Sequence, residues 1–391
     1  MAKIALINQR YGLEINGGSE YHARLIAERL AKKYEVEVLT TCALNHDKWE
    51  NYYKPGIHNV NGIVVRRFPT TQNRLPGHPN DGEKWIDSQG PFVPELIDYI
   101  QEYSDEYDVF FPFTYLYYPT VRAIPLIAEK AIVIPTAHNE YPIYYPVYKR
   151  VFGADKNFAK PAAFMFNTKE EQEFIQKLFK NHSIPSWVAG VGVELPNNID
   201  GNRFREKYGI KGDYCLYVGR IDQGKGCEAM VQYFLEYKKR NKNKIKLVLI
   251  GKNTIEIPKH NDIIHLGFVS EEDKFDGISG AKILWLNSMF ESLSIVVLEA
   301  FSLGIPVLVN EHCEVLKGHC VRSNAGLYYK GYFEFEGTLN YLLNHNKEYA
   351  IMSNNAKKYI EQYYRWDIVM ENFDKAIELI MQKNNNLSKN N

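Results

Sequence analysis

The sequence predicts an α/β protein of two Rossmann-like halves that face each other across a cleft. Three observations lead there. Short apolar runs alternate with amphipathic stretches from the first residues onward. The same alternation starts afresh near residue 214. And 391 residues are too many for one ordinary core, so two domains are expected. Ligands of open α/β sheets sit beyond the carboxyl ends of the strands, which makes the cleft the place to look for a site.

In the first half, "KIALIN" is a short buried strand and "QRYGLEINGG" a loop ending in glycine. "SEYHARLIAERLAKKY" carries apolar residues at helical spacing, with Ser19 as its N-cap, and "EVEVLTT" is again a strand. This βαβ unit implies a parallel sheet with right-handed crossovers. "GIVVRRF", "VFFPF" and "AIVIPTAH" extend the series. In the second half the strands are "YCLYVGR", "KIKLVLIG", "IIHLGFV", "KILWLNS" and "PVLVN", with helices at "CEAMVQYFLEYKKRN" and "EEDKFDGISGA". The halves meet near "GVELPNNIDGNRF", giving domains 1–194 and 195–365. A helix follows over 366–384, and a polar, low-complexity tail over 385–391 reads as disordered.

Lys+Arg and Asp+Glu both number 47, so the formal net charge is zero and an overall electrostatic grip on nucleic acid is not expected. Five scattered cysteines make no disulfide framework. "MAKIALIN" leads straight into a strand rather than a signal peptide, and no run of eighteen clean apolar residues is present. The chain is read as cytoplasmic, with peripheral association at the inner membrane face left open and the oligomeric state open as well. Its 28 tyrosines concentrate in "FFPFTYLYYPT" and "NEYPIYYPVYKR", either as core or as a wall of rings for stacking on sugars.

Three stretches carry chemistry. In "YVGRIDQGKGCEAM" a strand ends at Gly219, and Arg220 and Lys225 flank a turn before a helix. Loop amides, a helix N-terminus and two cations together suit a diphosphate, although a solvated basic loop would read the same way. No P-loop signature is present. In "NSMFESLSIVVLEAFSLGIPVLVN", Glu291 and Glu299 are eight residues apart in an apolar run. Glu291 falls at the sheet's carboxyl edge, and the amides of Ser292, Leu293 and Ser294 fall near a helix N-terminus. The helix closes at Gly304. Eight helical residues bring Glu299 to roughly the same side, where two carboxylates suit paired hydroxyls. Two unrelated glutamates, one capping and one paired, are the alternative. In "NGGSE", Gly17 and Gly18 precede the first helix and let a ligand approach the backbone, or simply make a turn. No dinucleotide fingerprint is present. His138 follows a strand, again at a carboxyl edge. His312, Cys313, His319 and Cys320 in "HCEVLKGHC" mimic a zinc set, but adjacent His–Cys ligands point different ways on a helix.

Taken in order, these motifs resemble the retaining GT-B glycosyltransferases of family GT4 over nearly the whole chain. "INGGSE" is similar to the family's first glycine loop, "VGRIDQGKG" to its phosphate loop and "ESLSIVVLEAFSLGIPV" to its segment of two glutamates separated by seven residues. "YYRWDIVMENFDKAIELI" resembles the last helix, which crosses back onto the N-terminal domain. The resemblance implies transfer of a sugar from a nucleotide-sugar donor to a glycan, lipid-linked or small-molecule hydroxyl, with retention and without metal. It implies that Glu291 contacts the donor sugar and Glu299 the ribose. Arg220, Lys225, Gly18 and the amides of Ser292, Leu293 and Ser294 would meet the diphosphate, and Phe268 and Val269 the base. Glu291 and His138, which would face the sugar, are implied as the catalytic residues, and Gly17 and Gly219 would lie on the sugar and acceptor side. No resident cofactor is implied, and a UDP-sugar is placed ahead of a GDP- or dTDP-sugar. Serines stand where many members have glycines after the first glutamate, which bears on the donor sugar. A nucleotide-sugar 2-epimerase and a non-catalytic nucleotide-sugar-binding subunit are the alternatives.

Overall fold

Each half of the chain is built on a parallel sheet, as seen in a computed structural model that describes residues 1–15, 17–75, 77, 81–153 and 157–390, the side chains of 385–390 excepted. Part of the tail read as disordered from composition therefore lies outside the described residues, as does Asn16 of the first glycine loop. The chain divides into two units. Unit 1 holds Met1–Val191 with Asp367–Asn391, and unit 2 holds Gly192–Trp366.

In unit 1, strands β1 (Lys3–Ile7), β2 (Glu35–Thr41), β3 (Gly56–Val60), β4 (Ile63–Phe68) and β5 (Val109–Pro112) form a sheet in the order β3-β4-β2-β1-β5. Only β3 and β4 pair antiparallel. Asn61 and Gly62 join them with φ of 51° and 85°, the left-handed pair that a two-residue hairpin turn demands. Strands β6 (Ile132–Val133), β7 (Ala163–Phe166) and β8 (Ser186–Val188) form a second parallel sheet. Single parallel bridges, Phe110–Ala131 and Phe113–Ile134, connect the two.

The first helix of unit 1 is Gly18–Leu30, and Gly17, not Ser19, occupies its N-cap. The Ser19 hydroxyl instead donates to Glu20 Oε2 and accepts from Gln9 Nε2. The core beneath is rich in aromatics. Tyr115, Tyr118, Tyr145 and Tyr148 are buried in it, while Tyr141 and Tyr144 are exposed. Most of the tyrosine cluster is therefore packing. The last helix, Trp366–Asn390, returns to unit 1. There Phe373 meets Phe111, with ring centroids 5.6 Å apart, and Asp374 accepts a 2.7 Å hydrogen bond from the Tyr34 hydroxyl.

Unit 2 is a six-stranded, wholly parallel sheet of β9 (Tyr214–Val218), β10 (Lys246–Ile250), β11 (Ile263–Gly267), β12 (Ile283–Leu286), β13 (Val307–Asn310) and β14 (Gly326–Tyr329). The order is β11-β10-β9-β12-β13-β14. The chain builds outward from β9 on one side, then returns to lay β12 on its other side. Loops leaving β9 and β12 therefore diverge and open a crevice at the carboxyl edge. Strands β12 and β13 are buried throughout, as the apolar runs Ile283–Leu286 and Val307–Val309 require, and Asn310 at the end of β13 is buried with them. The helix Ile295–Ser302 buries Val297, Leu298, Ala300 and Phe301, and Gly304, at φ 72°, turns the chain out of it.

Candidate functional site

The crevice of unit 2 is made by two loops that are fastened to each other. After β9 the chain passes through Gly219 and Arg220, whose carbonyl accepts a 2.6 Å hydrogen bond from the Tyr217 hydroxyl. The Asp222 carboxylate accepts from the Lys225 amide at 2.9 Å and caps the short 3₁₀ turn Gln223–Lys225. Gly226 follows at φ 67°, and a Cβ there would lie 2.3 Å from the Asn287 carbonyl oxygen. From the other loop, Asn287 Nδ2 donates to the Gly226 carbonyl at 2.8 Å. The Tyr329 hydroxyl holds Asn287 Oδ1 at 2.7 Å and is itself held by Trp285 Nε1 at 2.8 Å. Sequence reasoning did not single out Asn287. Its signal is a polar residue directly after the apolar strand "KILWL".

The fastened loops bring the charged residues together, but as pairs. Lys225 Nζ lies 2.7 Å from Glu291 Oε1, with side chains 26% and 16% exposed. Arg220, with a more exposed side chain, meets Asp222 at 3.2 Å. The two cations read as suited to a diphosphate each have a carboxylate partner, because the loop fold brings Asp222 and Glu291 to them. The Ser292–Ser294 segment leads into the helix Ile295–Ser302, and the Ser294 side chain makes no capping hydrogen bond. Ser294 sits at φ 64°, where a side chain is strained.

Glu299 has a different neighbour. It is buried in the helix and accepts a 2.7 Å hydrogen bond from Lys274 of the helix Glu271–Gly280. Glu291 precedes the helix Ile295–Ser302 that holds Glu299, so the helical-rotation argument for a shared face does not apply to the two glutamates. Burial lowers the Lys274 pKa, but Glu299 and Glu271 more than offset it, so the ammonium is held above its ordinary value. Sequence reasoning missed Lys274, since only the fold brings the two helices together. On the same side of the sheet chain order gives Phe268 and Val269, directly after β11, with Phe268 66% exposed.

Gly17, Gly18 and His138 belong to unit 1, whereas the residues above belong to unit 2. A Cβ on Gly17 would fall 2.0 Å from Glu20 Oε2, while one on Gly18 would meet nothing within 4 Å. The first glycine thus makes room for a carboxylate, and the second faces open space. Glu20 is itself bonded by Arg10 Nε at 2.9 Å. His138 Nδ1 lies 3.0 Å from Glu140 Oε1, which also accepts from the Tyr115 hydroxyl at 2.6 Å. Burial acts to raise the Glu140 pKa, yet His138 and Tyr115 prevail and hold it below the usual range. The backbone just before His138 is fixed by Glu171, which accepts from the amides of Ala137 (2.5 Å) and Asn167 (2.6 Å). Burial raises Glu171 to about 8, against those two bonds.

Among the described residues no group of three or more His, Cys, Asp or Glu side chains is placed to hold a metal ion. His312, Cys313, His319 and Cys320 make no such group. Cys313 and Cys320 are buried free thiols, and His319 is fully buried and hydrogen-bonded through both ring nitrogens. No helix among the described residues is long and apolar enough to cross a membrane.

This architecture is the GT-B fold, two Rossmann-like domains with the last helix returned to the first. It matches sucrose-phosphate synthase from Thermosynechococcus elongatus with a TM-score of 0.74 at 13% identity, over 98% of this chain and 100% of that one. It also matches Anabaena Alr3699/HepE in complex with UDP-glucose, with a TM-score of 0.67 at 14% identity over 98% and 100%. Residues 200–359 match the family described as glycosyl transferases group 1. Among curated proteins, an uncharacterized glycosyltransferase of Methanocaldococcus jannaschii is 23% identical over 97% of this chain and 99% of its own length.

Proposed function

We propose that the protein is a glycosyltransferase that moves a sugar from a nucleoside-diphosphate sugar to a hydroxyl acceptor, with retention at the anomeric carbon and without a metal ion. The observation that carries this reading is the 2.7 Å Lys225–Glu291 pair at the carboxyl edge of β9 and β12, next to the amides of Ser292–Ser294. A diphosphate is attracted by Lys225, Arg220 and those amides, and a bound phosphate draws Lys225 away from Glu291. The freed carboxylate accepts from sugar hydroxyls. Glu299 takes the ribose, and Phe268 with Val269 takes the base.

In the reaction so conceived, the sugar–phosphate bond breaks as the acceptor oxygen attacks from the same face. The leaving diphosphate takes the acceptor's proton, and Arg220 and Lys225 stabilise the charge that collects on it. Gly18 joins the diphosphate contacts, Gly17 and Gly219 serve the sugar and acceptor side, and His138 acts beside Glu291 at the sugar. UDP-sugars are the first donors to try, since UDP-glucose is named in the complex of one structural relative. The acceptor class, glycan, lipid-linked or small molecule, is to be found by screening.

Thermal-shift measurement with UDP, GDP and dTDP, followed by transfer assays with the matching sugars in excess EDTA, tests the proposal. One nucleotide should raise the melting temperature by mass action, and transfer should survive the chelator. Melting unchanged by all three would overturn the reading. Turnover of donor without acceptor would favour an epimerase, and loss of transfer on chelation would bring a metal into the site.

A further inference from the structure

We propose that His319 is a positioning residue for the nucleotide, holding the Glu291–Ser294 loop from beneath through the Leu293 carbonyl. The inference rests on the glycosyltransferase reading and assigns a task to a residue outside its motifs. His319 lies on the helix Glu314–Ser323, and its Nε2 is 2.8 Å from the Leu293 carbonyl oxygen. A carbonyl only accepts, so Nε2 carries the proton. In a neutral ring Nδ1 is then an acceptor. It lies 3.1 Å from the hydroxyl of Tyr359, on the helix Asn346–Tyr363, which donates to it. The Tyr359 oxygen in turn accepts from Arg322 Nε at 3.2 Å. Every donor in this line finds an acceptor, and the direction is fixed from Arg322 to the loop.

The ring stays neutral because burial, and the Arg322 charge after it, lower the His319 pKa to about 3. The loop needs such a hold. Ser294 keeps a left-handed backbone conformation that costs free energy, and such a conformation persists only where the surroundings impose it. Cys313 stands at the N-cap position of the helix carrying His319 and makes no side-chain capping hydrogen bond. From the stretch that imitates a zinc site, His319 thus reaches the loop that presents Glu291 and the amides of Ser292–Ser294.

The test uses the full chain and calorimetric binding of UDP, GDP and dTDP. His319→Leu removes the donor to Leu293 and should weaken whichever nucleotide the wild type binds by about fivefold to tenfold, the loss of one hydrogen bond. His319→Gln retains a donor at the right reach and should recover most of the affinity. In transfer assays the KM for the donor should rise in His319→Leu while the KM for the acceptor holds. If His319→Leu fails to fold, Tyr359→Phe carries the test, since it deletes one hydroxyl and should weaken the same nucleotide by about threefold. Folded variants that bind as the wild type does would overturn the positioning role and leave the glycosyltransferase reading standing. Wild-type protein that binds none of the three nucleotides would overturn both.

Discussion

Lys225 and Glu291 form a 2.7 Å ion pair between two loops that leave neighbouring strands of one parallel sheet. With Arg220 and Asp222 at 3.2 Å, the crevice presents two cations and two carboxylates. On the proposed reading, a diphosphate entering there would compete with Glu291 for Lys225.

Glu291→Gln should therefore bind nucleoside diphosphate as tightly as the wild type or a few-fold tighter, because Lys225 loses its competitor. Its kcat should drop by about a hundredfold if the carboxylate acts on the sugar as charge develops. Calorimetry beside kcat decides. A parallel loss of nucleotide affinity would assign Glu291 to the nucleotide instead.

Glu299→Gln should weaken UDP about tenfold and leave inorganic pyrophosphate unaffected, as expected of a contact to ribose. It also leaves Lys274 with only the exposed Glu271, 2.9 Å away. A stability loss of about 2 kcal/mol is expected, less than the roughly 3–5 kcal/mol for breaking a fully buried pair. Equal weakening of UDP and pyrophosphate would move Glu299's contact from the ribose to the phosphates.

Gly226→Ala should damage the site from a distance. The new methyl would meet the Asn287 carbonyl at 2.3 Å and would sit at φ 67°. The two loops must part, at a cost of about 1–3 kcal/mol in stability and with weaker nucleotide binding. An unchanged melting curve with unchanged affinity would show that the loops are not fastened at this point.

Acid should unfold the protein in a defined window. Buried His22, its Nε2 3.2 Å from the Gly190 carbonyl, is lowered to about 4, chiefly by burial, and His319 to about 3. The unfolded chain takes up protons at both near pH 6.5, so their contribution is complete above 6.5 and is lost as pH falls toward 4. For His22 alone this is about 3 kcal/mol. Glu171 acts oppositely. Raised to about 8 by burial, it favours the fold increasingly as pH drops from 8 to its unfolded value. Melting temperature should hold or rise slightly from pH 8 to 6.5, then fall. Glu171→Gln should remove the rise, and His22→Gln should blunt the fall. A monotonic climb in stability down to pH 5 would contradict the histidine assignments, and no gain between pH 8 and 6.5 would contradict that of Glu171.

The α/β alternation, the second start near residue 214 and the Gly304 helix stop were legible in the sequence, because periodicity and backbone conformation are local properties of the chain. So was the stretch containing Arg220, Lys225, Glu291 and Glu299, as residue types at a spacing. What those side chains touch was not legible. Lys225 meets Glu291, 66 residues away, and Lys274 meets Glu299, 25 residues away, only because parallel strands and packed helices carry distant segments to one edge. The Ser19 cap was displaced because Glu20 folds back onto Gly17 and Arg10, a contact that no capping preference contains. His319, Cys313 and Cys320 looked like ligands in one dimension. Burial in the fold gave His319 a carbonyl and a hydroxyl as partners, so the tertiary structure, not the spacing, decided what the ring touches.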